Sequence, residues 1–318
     1  MKKRLISALG MIAILILMFV SKIWTPYVFD VGIGVIMILA GYEMSNMLLK
    51  MGLYNFSVLA GLFPIVLYSV CLALILTKVN IIIVFASMVI CAVGVTILTF
   101  VVSLIFKKWL STDLRIRRLQ IPYANFALRK SIYSMITFFY PAILLMFLVL
   151  TNHLGDIGYF LTGIDRFGGV DVSFIALVVA FLVPIVSDTF AMLFGMLLKG
   201  PKLCPKTSPN KTVSGFVSGV IMTTLVMVAL FFVLTSFGDI KTAFDACGIG
   251  LVHFAMIGFF GSLVSTAGDL FESFLKRRAM VKDSSNFIPG HGGVLDRLDS
   301  HTFNAPFVFF FFFVLLMS

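Results

Sequence analysis

Long apolar runs separated by short polar segments make up most of the chain. Nine runs are long enough to form membrane-crossing helices, at about residues 5–20, 31–49, 56–77, 81–106, 132–151, 173–198, 215–237, 246–268 and 303–317. A helix needs roughly 20 residues to cross the hydrocarbon core, and backbone groups in lipid must hydrogen-bond within their own segment. The pattern therefore predicts an all-α, polytopic integral membrane protein with about nine transmembrane helices.

The composition supports this prediction. The 318 residues are 60% hydrophobic and 12% charged, with a mean hydropathy of +1.11, which excludes an ordinary soluble domain. The first run follows three basic residues, as in a signal peptide, but no small-residue cleavage pattern follows near Val20, so we expect a retained helix. The four cysteines have no metal-binding spacing and are expected to be packing residues.

The distribution of basic residues predicts the orientation. With the amino terminus in the cytoplasm, twenty of the 24 Lys and Arg residues lie inside, and only Lys22, Lys78, Arg166 and Lys241 lie outside. This split follows the positive-inside rule and predicts a multi-pass protein of the cell membrane. Topology accounts for most of the net charge of +10, so nucleic-acid binding is not required.

A basic stretch divides the chain into two predicted parts. Residues 107–130 mix seven cations with Trp, Leu, Ile and Phe, as an interfacial elbow that anchors the protein, or holds anionic lipid, would do. We expect a transmembrane scaffold over residues 1–131 and a catalytic transmembrane domain over residues 132–318. Six of the 14 acids, all in the second part, lie at or beside the predicted cytoplasmic ends of the sixth and eighth helices or in the loop before the last helix.

The carboxyl end of the eighth run carries a polar stripe. Asp269, Glu272, Ser273 and Lys276 occur at i, i+3, i+4 and i+7, which places them on one face of a helix that continues past the run. A solvated face on a helix leaving the membrane is the alternative interpretation.

The next segment, KDSSNFIPGHGGVLDRLDS (residues 282–300), is typical of a loop. Glycines around His291 allow the backbone to approach a phosphate and turn its N–H groups toward it, although a histidine in such a turn is often structural. Asp296 and Asp299 flank Arg297, so two carboxylates can face one point beside a guanidinium. Together these residues predict a metal–phosphate site.

A second cluster surrounds the sixth run. Asp188 lies within an apolar helix, where a carboxylate is costly and indicates function. The following loop supplies Ser208 and four lysines, Lys211 among them, and Thr212 precedes the seventh helix, whose amino end favours anions. These residues suit a triphosphate; a plain basic loop with a turn at residues 208–210 is the alternative. Glu43, a third intramembrane acid, either lines the same cavity or bonds to a neighbouring helix.

These motifs resemble a known family. The stretch SFLKRRAMVKDSSNFIPGHGGVLDRLD (residues 273–299) is similar throughout to the signature of the CDP-diacylglycerol synthases, or phosphatidate cytidylyltransferases: SxxKRxxxxKD, PGHGG, DR and a final D. Asp188-Thr189, Ser208-Pro209 and Lys211-Thr212 also look like the family. The motifs cover roughly residues 187–299; before residue 180 only the helix pattern is similar.

The resemblance implies a membrane enzyme, commonly a homodimer, that joins CTP and phosphatidic acid into CDP-diacylglycerol and releases pyrophosphate. It implies a divalent cation, Mg²⁺ or Mn²⁺, and leaves open whether a monovalent cation shares the site. By position, the metal carboxylates are Asp269 and Asp296, with Asp283 and Asp299 as supporters, and the phosphate partners are Lys276, Arg277, Lys282 and Arg297. The family often has Glu where this chain has Ser214, which leaves Glu272 as a substitute ligand.

The implied chemistry needs no general base. The second pKa of a phosphate monoester is roughly 6, so the nucleophile is already ionised at neutral pH and His291 is not required as a base. Because the substrates come from the cytoplasm and the leaflet, we expect a cytoplasm-facing polar cavity open to lipid. The alternatives are a polyprenol or phytol kinase, an ether-lipid cytidylyltransferase, or a cation transporter that uses Asp188 and Glu43.

Overall fold

A computed structural model describes residues 2–77, 80–105, 123–157 and 169–317. Within these ranges eleven α-helices are present: α1 (Lys2–Ser21), α2 (Pro26–Lys50), α3 (Ser57–Leu76), α4 (Ile81–Ile105), α5 (Tyr123–Thr137), α6 (Leu144–Asn152), α7 (Val172–Leu198), α8 (Val213–Thr235), α9 (Gly238–Ala246), α10 (Leu251–Arg278) and α11 (Leu295–Met317). Each of the nine predicted apolar runs contains helix, and the all-α prediction is confirmed.

Eight helical segments in the described ranges are long and apolar enough to cross a membrane. One of them combines α5 and α6 across a π-helical turn, Phe138–Ile143, where Tyr140 leaves helical geometry just before Pro141. Proline lacks an N–H and breaks the hydrogen-bond ladder, which explains the interruption. The apolar part of α1, Ser7–Ser21, is shorter than the eight.

The second half of the chain forms a bundle in which α8 packs on α7 and α10, and α10 packs on α11. Glycine permits these close approaches. A Cβ on Gly258 would lie 2.7 Å from Cα of Thr224, and one on Gly268 would lie 2.6 Å from the carbonyl oxygen of Asp299. Small residues at helix crossings are the usual basis of tight packing in membranes. This packing brings the ends of α7 and α10 beside the start of α11.

The predicted start of the last helix is wrong in a way that matters for the site. The last helix begins at Leu295 instead of residue 303, so Asp296, Arg297 and Asp299 lie in its first turns and not in a loop. The polar residues of this segment lower its hydropathy and hide the helix. The eighth run forms a helix over residues 251–278, which confirms that the helix continues through the polar stripe. The short helix α9, which was not predicted, precedes it.

The lysine-rich loop after α7 contains a hairpin. Strands β1 (Lys202–Cys204) and β2 (Ser208–Thr212) pair antiparallel, with Lys202 opposite Thr212, so the turn lies at residues 205–207 and not at 208–210. The part of the predicted interfacial elbow up to residue 122 lies outside the described residues. Its last part, from residue 123, belongs to α5. The boundary predicted at residue 131 also falls within α5.

Candidate active site

A cavity of about 910 Å³ lies where α7, the hairpin and the facing ends of α8, α10 and α11 meet. Its charged and hydroxyl lining comprises Asp188, Lys199, Lys202, Lys211, Thr212, Thr266, Asp269, Asp296, Arg297 and Asp299. Its apolar lining includes Ala191, Met192, Met196, Leu203 and Phe216. The two polar clusters that the sequence predicted therefore share one polar cavity, although they lie far apart in the chain.

Asp296 is the most firmly held acid of this cavity. Its Oδ2 accepts hydrogen bonds from the Ser284 N–H (2.9 Å), the Ser284 hydroxyl (2.9 Å) and the Gly293 N–H (2.7 Å), and its Oδ1 accepts one from Nζ of Lys276 (2.8 Å). Each carboxylate oxygen has about two acceptor positions, so these donors leave little rotational freedom. The carboxylate is therefore oriented before any substrate binds.

The Gly-rich turn is shaped around this carboxylate. Gly290 and Gly292 have φ of 80° and 89°, values that other residues rarely adopt, and a Cβ on Gly292 would lie 2.6 Å from Oδ2 of Asp296. The N–H groups of His291 and Gly292 donate to the carbonyl of Ile288, and that of Gly293 donates to Asp296. The N–H groups of His291, Gly292 and Gly293 therefore have acceptors within the protein.

Lys276 and Arg277 do not line the cavity as described, although the resemblance made them phosphate partners. Lys276 forms ion pairs with Asp296 and with the fully buried Glu272, so it helps to hold the Asp296 carboxylate in place. Glu272 is likewise not among the described lining residues, a position that does not fit the metal-ligand role considered for it. Arg277 donates from Nε to the Thr207 carbonyl (3.2 Å) and ties α10 to the hairpin turn.

The other acids lie close together in the cavity. Lys211 forms an ion pair with Asp269, and Ser300 donates its hydroxyl hydrogen to Oδ2 of Asp188 (2.8 Å). Asp299 is near enough to Asp188 and Asp269 for their charges to repel. Crowded carboxylate oxygens suit a hard divalent cation, which needs only one or two protein carboxylates when substrate phosphates supply further ligands. No group of three or more His, Cys, Asp or Glu side chains in the described ranges is arranged to hold a metal without substrate.

The start of α8 is fixed by its own hydroxyls. Thr212 precedes the helix as predicted, and its Oγ1 accepts from the Gly215 N–H (3.1 Å), which is an N-cap. Ser214, where the family often has Glu, accepts from the Gly200 N–H (3.1 Å) and donates to Thr212 (3.3 Å). Ser208 lies in β2 and is not among the described lining residues.

A second polar cavity, of about 350 Å³, adjoins the first. It is lined by Lys282, Asp283, Asn286, Gly290, His291, Gly292 and Arg297, and Arg297 lines both cavities. His291 contacts α1 through Nδ1, which lies 2.7 Å from the Ser7 hydroxyl, while that hydroxyl donates to the Pro289 carbonyl (3.0 Å). The direction of the hydrogen bond between Ser7 and Nδ1 depends on the tautomer of His291.

Sequence reasoning missed several residues that shape the site. Ser7, Ser284 and Ser300 each bond to a predicted site residue, but isolated serines give no sequence signal. For Glu43 the sequence left two interpretations open, a place in the cavity lining or a bond to a neighbouring helix. It is not among the described lining of either cavity, and its carboxylate bonds to neighbouring segments, so the second interpretation is correct.

Comparison with known proteins decides the family. A family model described as "Cytidylyltransferase family" matches residues 2–315, nearly the whole chain. The chain belongs to the cytidylyltransferase family. The match includes the first helices, for which the sequence resemblance rested on helix pattern alone.

Relatives within this cytidylyltransferase family are similar over a shorter stretch. Proteins named phosphatidate cytidylyltransferase are 44% identical over 123 residues in Rickettsia felis, 40% over 124 residues in Bacillus subtilis and 44% over 127 residues in Staphylococcus saprophyticus. These stretches cover 39%, 39% and 40% of this chain and 52%, 42% and 45% of the relatives. The chain thus spans about half the length of the curated relatives it matches.

Proposed function

We propose that this protein transfers the cytidylyl group of CTP to phosphatidic acid, forming CDP-diacylglycerol and pyrophosphate. The observation that carries the proposal is the cavity of about 910 Å³, because it combines acids, lysines and an arginine with an apolar wall. Such a lining suits a triphosphate on one side and a lipid phosphate with its acyl chains on the other. The similarity to proteins named phosphatidate cytidylyltransferase supports the same reaction.

The reaction is a displacement at phosphorus. A phosphate oxygen of phosphatidic acid attacks the α-phosphorus of CTP, a new P–O bond forms, and the bond to the β-phosphate oxygen breaks with release of pyrophosphate. The attacking group is already ionised near neutral pH, since its second pKa is roughly 6. His291 is engaged with Ser7 and lines the second cavity, which agrees with a reaction that needs no general base.

The main barrier is the approach of two anions, and the cavity cations would lower it. Lys199, Lys202 and Arg297 line the cavity and can contact phosphate oxygens. Lys211, paired with Asp269 in this structure, can exchange that partner for a phosphate. Positive groups fixed in this way would stabilise charge that develops on the pyrophosphate leaving group.

The donor set fits a divalent cation, Mg²⁺ or Mn²⁺. Asp269 and Asp296 would hold it, with Asp188 and Asp299 beside them, because these carboxylate oxygens line one polar cavity. When bound, such an ion supplies charge neutralisation to the phosphates. Within the protein, Lys276, Ser284 and Gly293 orient Asp296 for this task.

The proposal includes the membrane orientation. CTP is expected to enter from the cytoplasm, and phosphatidic acid to enter sideways from the leaflet past the apolar wall. Met192 and Met196 on α7 line the cavity and are 58% and 59% exposed, as residues on a lipid-facing rim would be. The amino terminus and the site are then on the cytoplasmic side of the cell membrane, and the homodimer implied by the resemblance is measurable by light scattering in detergent.

Product analysis tests the proposed function. The purified protein is mixed with Mg²⁺, phosphatidic acid and CTP labelled either in cytosine or at the γ-phosphate. Cytosine label in the lipid supports cytidylyl transfer, and γ-phosphate label without cytosine indicates a lipid kinase and overturns the proposal. Ion flux in liposomes without either product would indicate a transporter.

A further inference from the structure

We propose that Glu43, on α2, is a positioning residue that holds the Gly-rich turn and the first turn of α11 so that Asp296 and Asp299 face the cavity. Its effect on catalysis rests on the proposed function, whereas its hold on the backbone does not. Glu43 is 3% exposed and is not one of the described cavity-lining residues, so its role is indirect.

The carboxylate of Glu43 is fully used as an acceptor. Oε1 accepts from the Ser285 hydroxyl (2.6 Å) and the Val294 N–H (2.9 Å). Oε2 accepts from the Ser284 hydroxyl (2.9 Å) and the Leu295 N–H (2.8 Å). An ionised carboxylate has about four acceptor positions, and four neutral donors face them; one of these, the Ser284 hydroxyl, is shared with Asp296. Glu43 therefore fixes both ends of the segment 284–295, called the cassette below, to a helix that precedes it by about 250 positions.

The amino end of α11 needs such a partner. The first N–H groups of a helix have no acceptor within the helix, and a Ser, Thr, Asp or Asn usually supplies one from the position just before it. Here Val294 occupies that position and cannot cap. The carboxylate of Glu43 instead accepts from the first two N–H groups of the helix end, those of Val294 and Leu295, and the positive end of the helix dipole favours its negative charge.

Glu43 also reaches Asp296 through one shared residue. The Ser284 hydroxyl lies 2.9 Å from Oε2 of Glu43 and 2.9 Å from Oδ2 of Asp296, so one proton serves two carboxylates. The backbone leaves little room around this contact, since a Cβ on Gly293 would lie 2.5 Å from Oε2 of Glu43. Displacement of Glu43 is therefore expected to move the segment that orients Asp296.

Replacement by the amide isolates the effect. In Glu43→Gln, whichever way the amide lies, its NH₂ faces the N–H of Val294 or of Leu295, and neither can accept. We expect kcat to fall about 100-fold while the KM for CTP stays within about 3-fold, because misplacement by about 1 Å costs rate more than binding. Glu43→Asp keeps the charge and the acceptors on a shorter stem, and is expected to recover about a tenth of the wild-type kcat.

A second readout does not depend on the reaction. Hydrogen–deuterium exchange over residues 283–296 is expected to be at least about 10-fold faster in Glu43→Gln than in wild type, without a change at the opposite end of α2. The matched control is Asp30→Asn, on the same helix, which should leave residues 283–296 unchanged. If wild type makes no CDP-diacylglycerol, the proposed function fails, while the exchange result still decides whether Glu43 holds the turn.

Three results would overturn the proposal. They are a Glu43→Gln protein with wild-type kcat, unchanged exchange over residues 283–296, or faster exchange throughout the protein, which would indicate a merely structural role. Should Glu43→Gln fail to fold, Ser285→Ala removes only one of the four donors. That variant is expected to lower kcat about 5-fold at constant KM, and a wild-type kcat would contradict the proposal.

Discussion

Two acids on helix α2 are buried to the same degree but have different partners. Asp30, 0% exposed, lies near the start of the helix, and Glu43, 3% exposed, lies 13 residues later, about 20 Å away along the axis. Asp30 accepts from Nδ2 of Asn152 (2.8 Å) and contacts Nε2 of His153 (2.8 Å). Glu43 accepts only from neutral groups of the cassette, as far as the described contacts go.

The Asp30 end forms a network of compensating charges. Nζ of Lys22 donates to the side chain (2.9 Å) and carbonyl (3.1 Å) of Asn152 and lies 3.3 Å from Asp171. Burial alone would lower the pKa of His153, but Asp156 and Asp30 outweigh it and raise the pKa to about 9. The network joins α2 to the end of α6 and the start of α7. It is satisfied internally, which indicates that it stabilises the fold.

The difference between the two ends indicates what each acid does. A buried acid paired with a cationic side chain joins two helices, and removal of one partner leaves an uncompensated charge. A buried acid that accepts from the backbone of a distant segment instead determines where that segment lies. Because the segment held by Glu43 contains Asp296, only that end of α2 is expected to affect chemistry.

The largest predicted effect is on kcat and concerns Asp296, in the segment that Glu43 holds. Asp296→Asn should reduce kcat by at least about 1,000-fold, since the charge that Lys276 and the Gly-rich turn orient is lost at the reacting centre. The measurement is the rate of CDP-diacylglycerol formation per mole of folded protein, with Asp245→Asn on the exposed face of α9 as the control. A purified Asp296→Asn protein with normal activity would exclude this residue from the site.

The second prediction concerns stability at the other end. Asp30→Asn should reduce the free energy of unfolding by about 3 kcal/mol, because His153 loses its buried partner. The kcat of the protein that remains folded should stay within about 3-fold of wild type. Thermal unfolding in detergent and an activity assay on the same sample check both statements. Lower kcat at unchanged stability would contradict the distinction between the two ends.

The third prediction is a pH dependence confined to the Asp30 end. His153 has a raised pKa in the folded protein, so its charged form stabilises fully below pH 6.5, and this contribution is lost as the pH rises through about 9. The loss amounts to about 3 kcal/mol at most. Burial lowers the pKa of the neighbouring Lys22, which acts in the opposite direction.

The matched variant for the pH effect is His153→Gln. Unfolding midpoints at pH 6.5 and pH 9 should differ in wild type, with the higher midpoint at pH 6.5, and should differ less in the variant. An equal pH dependence in both proteins would assign the titration to another group, Lys22 being the nearest described candidate.

Much of the architecture could be predicted because each helix carries its own apolar signal. The polar stripe on α10 was also predictable, since Asp269 and Lys276 are spaced by helical periodicity. The early start of α11 was not, because its cap comes from Glu43 and has no local signature. Hydropathy describes a segment and its lipid environment, and it carries no information on a partner from another helix.

The sequence predicted which residues form the candidate site better than it predicted the contacts between them. The sequence grouped Asp188, Lys211 and Asp296 near one membrane face, and the structure brings all three to one cavity. It did not predict that Lys276 would form an ion pair with Asp296. The network around Asp30 was missed altogether, since its members are separated by up to about 150 residues and each is unremarkable alone.

The smallest predicted effect tests whether α1 shares the support that α2 gives to the cassette. Ser7→Ala removes the hydrogen bond to His291 Nδ1 and the donor to the Pro289 carbonyl, at the edge of the second cavity. Each of these two hydrogen bonds contributes about 1 kcal/mol to the position of the turn. Only part of this is expected to reach the reaction rate, so kcat should fall only about 2-fold to 5-fold. The control is Ser69→Ala on α3, whose hydroxyl bonds to the Ile65 carbonyl of its own helix. A loss larger than that of Glu43→Gln would make α1, and not α2, the main support of the turn, because Ser7 contacts the turn at Pro289 and His291 and Glu43 contacts the residues that follow it.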